Sequence, residues 1–264
     1  MIVDGKAIAN QWLEELRLKV QGLDQKPRCV IFSVEPDVVT NSYLNIKQKK
    51  AAFVGIDIIL KTLPKSITQV ELLSLIKDSN SSYQSALVQL PLPIGLDSEA
   101  ICNALDPFID VDALSATSNF ESPVVLAIKR ILSHYQYSLV NKKITVVGLG
   151  RLVGKPILNW LEEEKNLLTT VTAESTKEDF YAAIAQADVI ISGAGSPSLI
   201  TADMIKEGVV ILDAGTSESN GKITGDFSND CQDKAYLYTP VPGGIGPVTI
   251  AALLSNIVTA HIKD

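Results

Sequence analysis

Ile144-Thr145-Val146-Val147-Gly148-Leu149-Gly150-Arg151-Leu152-Val153-Gly154-Lys155-Pro156 is the stretch on which the fold turns. It reads as a buried strand, a glycine-rich turn and the start of a helix expected over 153–164. Such a unit suits a pyrophosphate. Glycines let the backbone approach the phosphates, and a helix N-terminus offers unpaired N–H groups and positive potential. The spacing G-x-G-x-x-x-G is one residue longer than the common fingerprint, so it also fits a tight turn with no ligand. The residues C-terminal to it favour the ligand. The next strand is expected over 169–172, and Glu174 stands just beyond it, where a carboxylate meets the adenosine ribose hydroxyls of a dinucleotide. Ser192-Gly193-Ala194-Gly195-Ser196-Pro197 and Asp213-Ala214-Gly215-Thr216 close two further expected strands, 189–192 and 209–213. Small residues at several strand ends make a crevice along one sheet edge.

Outward from this segment the same alternation recurs. Toward the N-terminus, strands are expected at 29–34, 56–60 and 86–90. Helices are expected from Asp4 (with Ile8, Trp12, Leu16 and Val20 on one face), from about Asn41, and around Val70, Leu73 and Ile76. Continuous apolar strands separated by amphipathic helices indicate mainly parallel sheets covered on both faces. A helix over 123–135 precedes the glycine-rich unit, another lies at 177–186, and the last spans 248–262. The fold class is therefore α/β, in two lobes with a seam near residue 120.

With 46% hydrophobic and 20% charged residues, the chain has the make-up of a globular protein with a real core. A net charge of -7 argues against general binding to nucleic acid or a membrane surface. No apolar run approaches a membrane span, and Met1-Ile2-Val3-Asp4-Gly5-Lys6 lacks the plan of a signal peptide. Cys29, Cys102 and Cys231 are far apart, which fits a reducing compartment and no disulfide framework. His134 and His261 have no Cys/His cluster around them, so no metal site is expected.

The N-terminal lobe carries three candidate features. Tyr43 and Lys47 are four apart on an expected helix and share a face. A ring there can stack on a flat ligand, and an ammonium can donate a proton or hold a charge. The plainer reading is a solvated basic face, since Lys49 and Lys50 come next. Val88-Gln89-Leu90-Pro91-Leu92-Pro93 ends a buried strand on an amide, before prolines that cannot continue the sheet. Asp110-Val111-Asp112 sets two carboxylates on one side of a segment expected to be extended. One of them suits the amino-pyrimidinone edge of a pterin, and a turn or helix-cap aspartate is the other reading.

These segments, with Tyr238-Thr239-Pro240-Val241-Pro242-Gly243-Gly244-Ile245-Gly246-Pro247-Val248-Thr249, occur together in one order. In that combination the chain closely resembles the bifunctional methylenetetrahydrofolate dehydrogenase/methenyltetrahydrofolate cyclohydrolase family over essentially its whole length. The resemblance implies hydride transfer from 5,10-methylenetetrahydrofolate to NADP or NAD, then hydrolysis of the methenyl product to 10-formyltetrahydrofolate, with no metal. It makes Lys47 the catalytic lysine, with Tyr43 stacking on the aminobenzoate, Gln89 holding Lys47 and the folate, and Asp112 binding the pterin. Pro242, Gly243 and Gly244 would shape the substrate wall, and Gly148, Leu149, Gly150, Arg151, Glu174 and Thr216 would line the dinucleotide. It further implies a folate-binding domain of residues 1–119 plus 248–264 and a Rossmann-like domain of 120–247. The last helix would return to the first lobe, and the protein would be a cytoplasmic homodimer serving one-carbon metabolism and purine biosynthesis.

The chain departs from the family pattern at Ala113, where glycine is usual, at Ile109, where lysine is common, and over Phe120–Val125. In the cofactor loop Leu149 and Gly150 stand where many members have arginine or alanine and then serine. The groups that face an adenosine 2′-phosphate are thus absent, and Glu174 favours NAD. The alternatives are a dinucleotide-binding sensor without catalysis and a different two-lobed dehydrogenase. The first has no need of Tyr43, Lys47, Gln89 and Asp112 together, and the second has no place for the two proline-rich strings.

Overall fold

The computed structural model describes residues 1–164, 166–219 and 222–262. Its contacts divide the chain into two compact units, Asn10–Pro123 with Ile250–Asp264, and Met1–Ala9 with Val124–Thr249. In chain order the first half runs α1 (Gly5–Gln21), β1 (Arg28–Val34), α2 (Val38–Val54), β2 (Asp57–Leu63), α3 (Gln69–Asn80), β3 (Ala86–Val88) and α4 (Ser98–Cys102). The second half runs α5 (Pro123–His134), β4 (Lys143–Val147), α6 (Gly154–Glu163), β5 (Leu167–Val171), α7 (Lys177–Gln186), β6 (Val189–Ser192) and β7 (Val210–Asp213). A hairpin, β8 (Ser217–Ser219) and β9 (Lys222–Thr224), is succeeded by α8 (Cys231–Lys234), β10 (Leu237–Tyr238) and α9 (Ile245–Ile262).

The sheet of the Asn10–Pro123 unit has the order β2-β1-β3, all parallel. β1 is central and buried from Cys29 to Val34, which explains why its sequence is apolar without alternation. Phe32 packs with Leu72, Ile76, Ile101 and Leu105 beneath α3 and α4. Each such buried side chain contributes roughly 1.5–3 kcal/mol. Thr68 starts α3 with a reciprocal capping box to Glu71. The buried face of α3 is Leu72, Ile76 and Ser79, so Val70, expected on that face, is 78% exposed instead. It sits in the first turn, where two residues of rotation move a side chain to the other side of the helix.

The sheet of the other unit is fully parallel in the order β10-β7-β6-β4-β5. The strand order reverses at β4, with β5 on one side and β6 on the other. Here β5 corrects the expectation of a buried strand. It is an edge strand, largely exposed, with Leu167 at 64%, and its adjacent threonines are what an edge tolerates. It also ends at Val171, one residue before the expected Thr172. The chain start joins this unit. Val3 N–H donates to the Tyr238 carbonyl and Tyr238 N–H to Met1, and Ile2 bridges Tyr238 in parallel, so the first residues extend the sheet beyond β10. Asp4 caps α1 through Ala7 N–H at 2.9 Å, as its position before the apolar stripe predicts.

α9 is the most apolar helix, long enough by length and composition to cross a membrane, yet just over half of it is buried. Val248, Ala251, Ala252, Leu254, Ile257 and Val258 are buried in the protein, as in a core helix.

Candidate functional site

The Asn10–Pro123 unit gathers Lys47, Gln89 and Asp112. Asp37 caps α2 by accepting from Thr40 N–H at 2.7 Å, and Gly55 closes it at φ 97°. Between these ends Thr40, Leu44, Ala51 and Val54 anchor the helix, while Tyr43 and Lys47, one turn apart, are half-buried. The basic-face reading therefore fails for Lys47: its Nζ donates to Gln89 Oε1 at 3.0 Å. Gln89 comes directly after β3, its N–H donating to the Phe32 carbonyl at 2.8 Å and its Nε2 to the Leu90 carbonyl at 2.7 Å. Its amide is thus fixed with oxygen toward the ammonium, and the prolines after Leu90 end the sheet there, as the sequence implies.

Asp110 and Asp112 do not share one side of an extended segment. The chain turns at Asp110, whose buried carboxylate accepts from Leu114 N–H at 3.3 Å and Ser115 N–H at 2.8 Å. Its main chain bridges Ala86. That is a structural role, the turn-aspartate reading realised at the first of the two positions. Asp112 is held differently: burial raises its carboxyl above the ordinary value, and the charge of Lys47 draws it partly back. The two groups are therefore electrostatic neighbours. Behind them Cys29 lies in the core, its thiol pushed up to about 12 by burial, and it is inert. Asn256 of α9, absent from the expected site, donates both amide hydrogens, to the Val111 and Glu121 carbonyls at 2.9 Å each. It pins the turn that carries Asp112. An amide side chain in a strongly apolar helix was the signal for it.

Ala113, next to Asp112, has φ 53°, in the left-handed region. Glycine adopts that region freely, whereas an L side chain costs about 1–2 kcal/mol. Ala113→Gly is therefore expected to stabilise the chain by about 1 kcal/mol or less, the gain being reduced by glycine's greater freedom when unfolded. A urea melt reads it as a raised midpoint at constant slope. A lowered midpoint would refute the strain.

In the other unit the glycine-rich turn is built as its spacing requires. Gly148 has φ 78°, and a Cβ on Gly154 would stand 1.8 Å from the Gly148 carbonyl oxygen, so α6 can start against the turn only with glycine there. Gly150 is different, since a Cβ on it would meet nothing within 4 Å. Its small size leaves open space over the turn, and no side chain caps the α6 N-terminus. A dinucleotide's phosphates fit this arrangement. Leu149 and Arg151 flank Gly150, each partly exposed. Beyond β5, Glu174 is exposed and accepts from the Thr172 hydroxyl at 2.5 Å, a bond that holds its carboxyl below the ordinary range and hence ionised. Thr216 is exposed after β7, and Ser217 Oγ ties that loop to the Gly195 carbonyl at 2.7 Å. Pro242, Gly243 and Gly244 form a turn before α9, closed by Gly244 N–H to the Pro240 carbonyl at 2.7 Å. A Cβ on Gly5 would lie 1.8 Å from the Gly244 oxygen, so α1 starts against this turn.

Known proteins resemble this chain in sequence and fold. Residues 3–112 match the model of the tetrahydrofolate dehydrogenase/cyclohydrolase catalytic domain, and residues 122–264 that of its NAD(P)-binding domain. The bifunctional protein FolD of Helicobacter acinonychis is 36% identical over 283 residues, covering 100% of this chain and 96% of its own. The FolD methylenetetrahydrofolate dehydrogenase/cyclohydrolase of Campylobacter jejuni superposes with a TM-score of 0.95 at 31% identity, covering 100% of this chain and 99% of its own. The Trypanosoma brucei enzyme, solved with NADP and an inhibitor, gives 0.93 at 27% identity, with 100% and 97% covered. The chain belongs to the tetrahydrofolate dehydrogenase/cyclohydrolase family.

Proposed function

We propose that Lys47 is the proton-handling group of a bifunctional enzyme that oxidises 5,10-methylenetetrahydrofolate with a nicotinamide dinucleotide and hydrolyses the methenyl product to 10-formyltetrahydrofolate. The observation that carries the assignment is the Lys47 Nζ bond to Gln89 Oε1, with the half-buried Asp112 within reach of the Lys47 charge. The amide has no charge to neutralise the ammonium, so it orients Nζ while leaving its other hydrogens for substrate. In hydrolysis, water adds to the methenyl carbon, the bond to N5 opens, and N5 takes a proton. Lys47 serves that transfer. Asp112 pairs with the pterin edge, Gln89 also contacts the folate, and Tyr43 stacks on the aminobenzoate. Pro242, Gly243 and Gly244 bound the substrate.

When bound, the nicotinamide accepts the hydride. Gly148, Leu149, Gly150 and Arg151 hold its phosphates, Glu174 the adenosine ribose, and Thr216 lies along the crevice. The chain also acts as a homodimer in the cytoplasm and supplies formyl groups to purine biosynthesis. The exposed edge of β5 supports association with a second copy.

For the cofactor, an ionised Glu174 accepts hydrogen bonds from the free ribose hydroxyls of NAD and repels the 2′-phosphate of NADP. NAD is expected to be used at least as well as NADP, and Glu174→Ala to raise relative NADP use roughly fivefold, a modest effect because the group is exposed. Measuring kcat/KM with each dinucleotide and methylenetetrahydrofolate tests both the activity and the preference. A strong wild-type preference for NADP, unmoved by Glu174→Ala, would assign the phosphate to Arg151.

A further inference from the structure

Two buried carboxyl groups stand at the carboxyl ends of β6 and β7, and neither the proton transfer at Lys47 nor the pterin contact at Asp112 uses them. Asp213 ends β7 and is 1% exposed, and Asp226, two residues after β9, is 0% exposed. Asp226 accepts three hydrogen bonds from a single turn: Oδ2 from the Ser192 hydroxyl at 2.6 Å and Ala194 N–H at 2.8 Å, and Oδ1 from Ser196 N–H at 2.7 Å. Asp213 accepts from Gly215 N–H at 3.0 Å and Phe227 N–H at 3.1 Å. The pair is locked by glycines. A Cβ on Gly215 would stand 2.1 Å from the Asp226 carboxyl, and one on Gly225 2.1 Å from Asp213 Oδ2.

Burying two carboxyls side by side is costly, and the cost shows at Asp213, which burial and then the nearby Asp226 push up to about 7. What the arrangement secures is the shape of Ser192–Ser196. That turn lies where the strand order reverses, the position at which open parallel sheets bind their ligands. It also abuts the glycine-rich turn, since a Cβ on Gly148 would stand 2.8 Å from Ala194 Cα. Three donors converge on one side chain, and only a carboxylate satisfies all of them, an amide offering a single acceptor oxygen.

We propose that Asp226 is a positioning residue for the dinucleotide, holding Ser192–Ser196 in the shape that forms one wall of the crevice beside Gly148. It does so without a part in the folate chemistry. The inference rests on the functional reading above, and the test separates the two. Wild-type protein is first assayed for methylenetetrahydrofolate oxidation and, with no dinucleotide present, for methenyltetrahydrofolate hydrolysis. Absence of both would sink the functional reading itself.

With both present, Asp226→Asn is expected to raise the dinucleotide KM tenfold or more, roughly what one charge-assisted hydrogen bond turned into a donor–donor clash is worth. kcat at saturating dinucleotide and the hydrolysis rate should stay within about twofold of wild type. Should that variant not fold, Ser192→Ala removes one donor and leaves the carboxylate its two amides. It is expected to raise the same KM about threefold, as loss of one ordinary hydrogen bond would. An unchanged dinucleotide KM, or oxidation and hydrolysis falling together, would overturn the proposal.

Discussion

Lys47→Met is expected to abolish hydrolysis of methenyltetrahydrofolate and to cut dehydrogenase activity by at least about a hundredfold, the lower range for loss of a positioned proton-transfer group. Methionine keeps the length and apolar stem of lysine, which is half-buried, so the packing around this position of α2 is preserved. Gln89 loses the ammonium on Oε1 but keeps its Nε2 bond to the Leu90 carbonyl, so the amide stays in place. The loss should therefore appear in rate, with unchanged circular dichroism. Charge brings a second consequence. Lys47 is what draws the Asp112 carboxyl down against burial. Without it Asp112 is more readily protonated, and folate KM should rise as well as kcat fall. A folded variant that hydrolyses methenyltetrahydrofolate at the wild-type rate would remove Lys47 from the mechanism.

The architecture was legible because its signals are local and repeated. Five buried apolar runs (β1, β3, β4, β6 and β7) and the helices between them are written in period and length, and α7 and β6 lie over the residues expected for them. The chain start and β10 were not, since a two-residue strand carries no period and its pairing with residues 1–3 joins segments more than 230 positions apart. β5 was misjudged as buried because Leu167-Leu168-Thr169-Thr170-Val171 suits an edge as well as a centre. Among the site residues, the step from Lys47 to Gln89 spans 42 positions, so no helical spacing announces it. The division of labour between Asp110 and Asp112 needed three dimensions, because two aspartates one residue apart look equivalent until the turn separates them. Asp226 was invisible for the same reason: its partners, Ser192, Ala194 and Ser196, lie at least 30 positions upstream.

Asp112→Asn should raise the folate KM by roughly tenfold to a hundredfold, the worth of a charge-assisted pair of about 1.5–3 kcal/mol, and leave the dinucleotide KM unchanged. Asparagine keeps the shape and removes the charge, so the effect isolates the pairing with the pterin. The pH dependence makes the test sharper. Burial holds the Asp112 carboxyl above its ordinary 3.8, with Lys47 opposing. The ionised form is the one that pairs, so wild-type folate KM should rise as pH falls through that elevated range, and the Asn variant should lack this limb. In Lys47→Met any residual oxidation should show the limb displaced to higher pH, because the opposing cation is gone.

Stability runs the other way. A carboxyl that binds its proton more tightly folded than unfolded loses stability as pH rises from the unfolded value through the folded one. At neutral pH the ionised Asp112 therefore costs the free protein stability. The Asn variant should melt at or above the wild-type temperature while binding folate worse. A variant that melts lower, with folate KM and dinucleotide KM both unchanged, would move Asp112 out of the pterin contact and into a purely structural role.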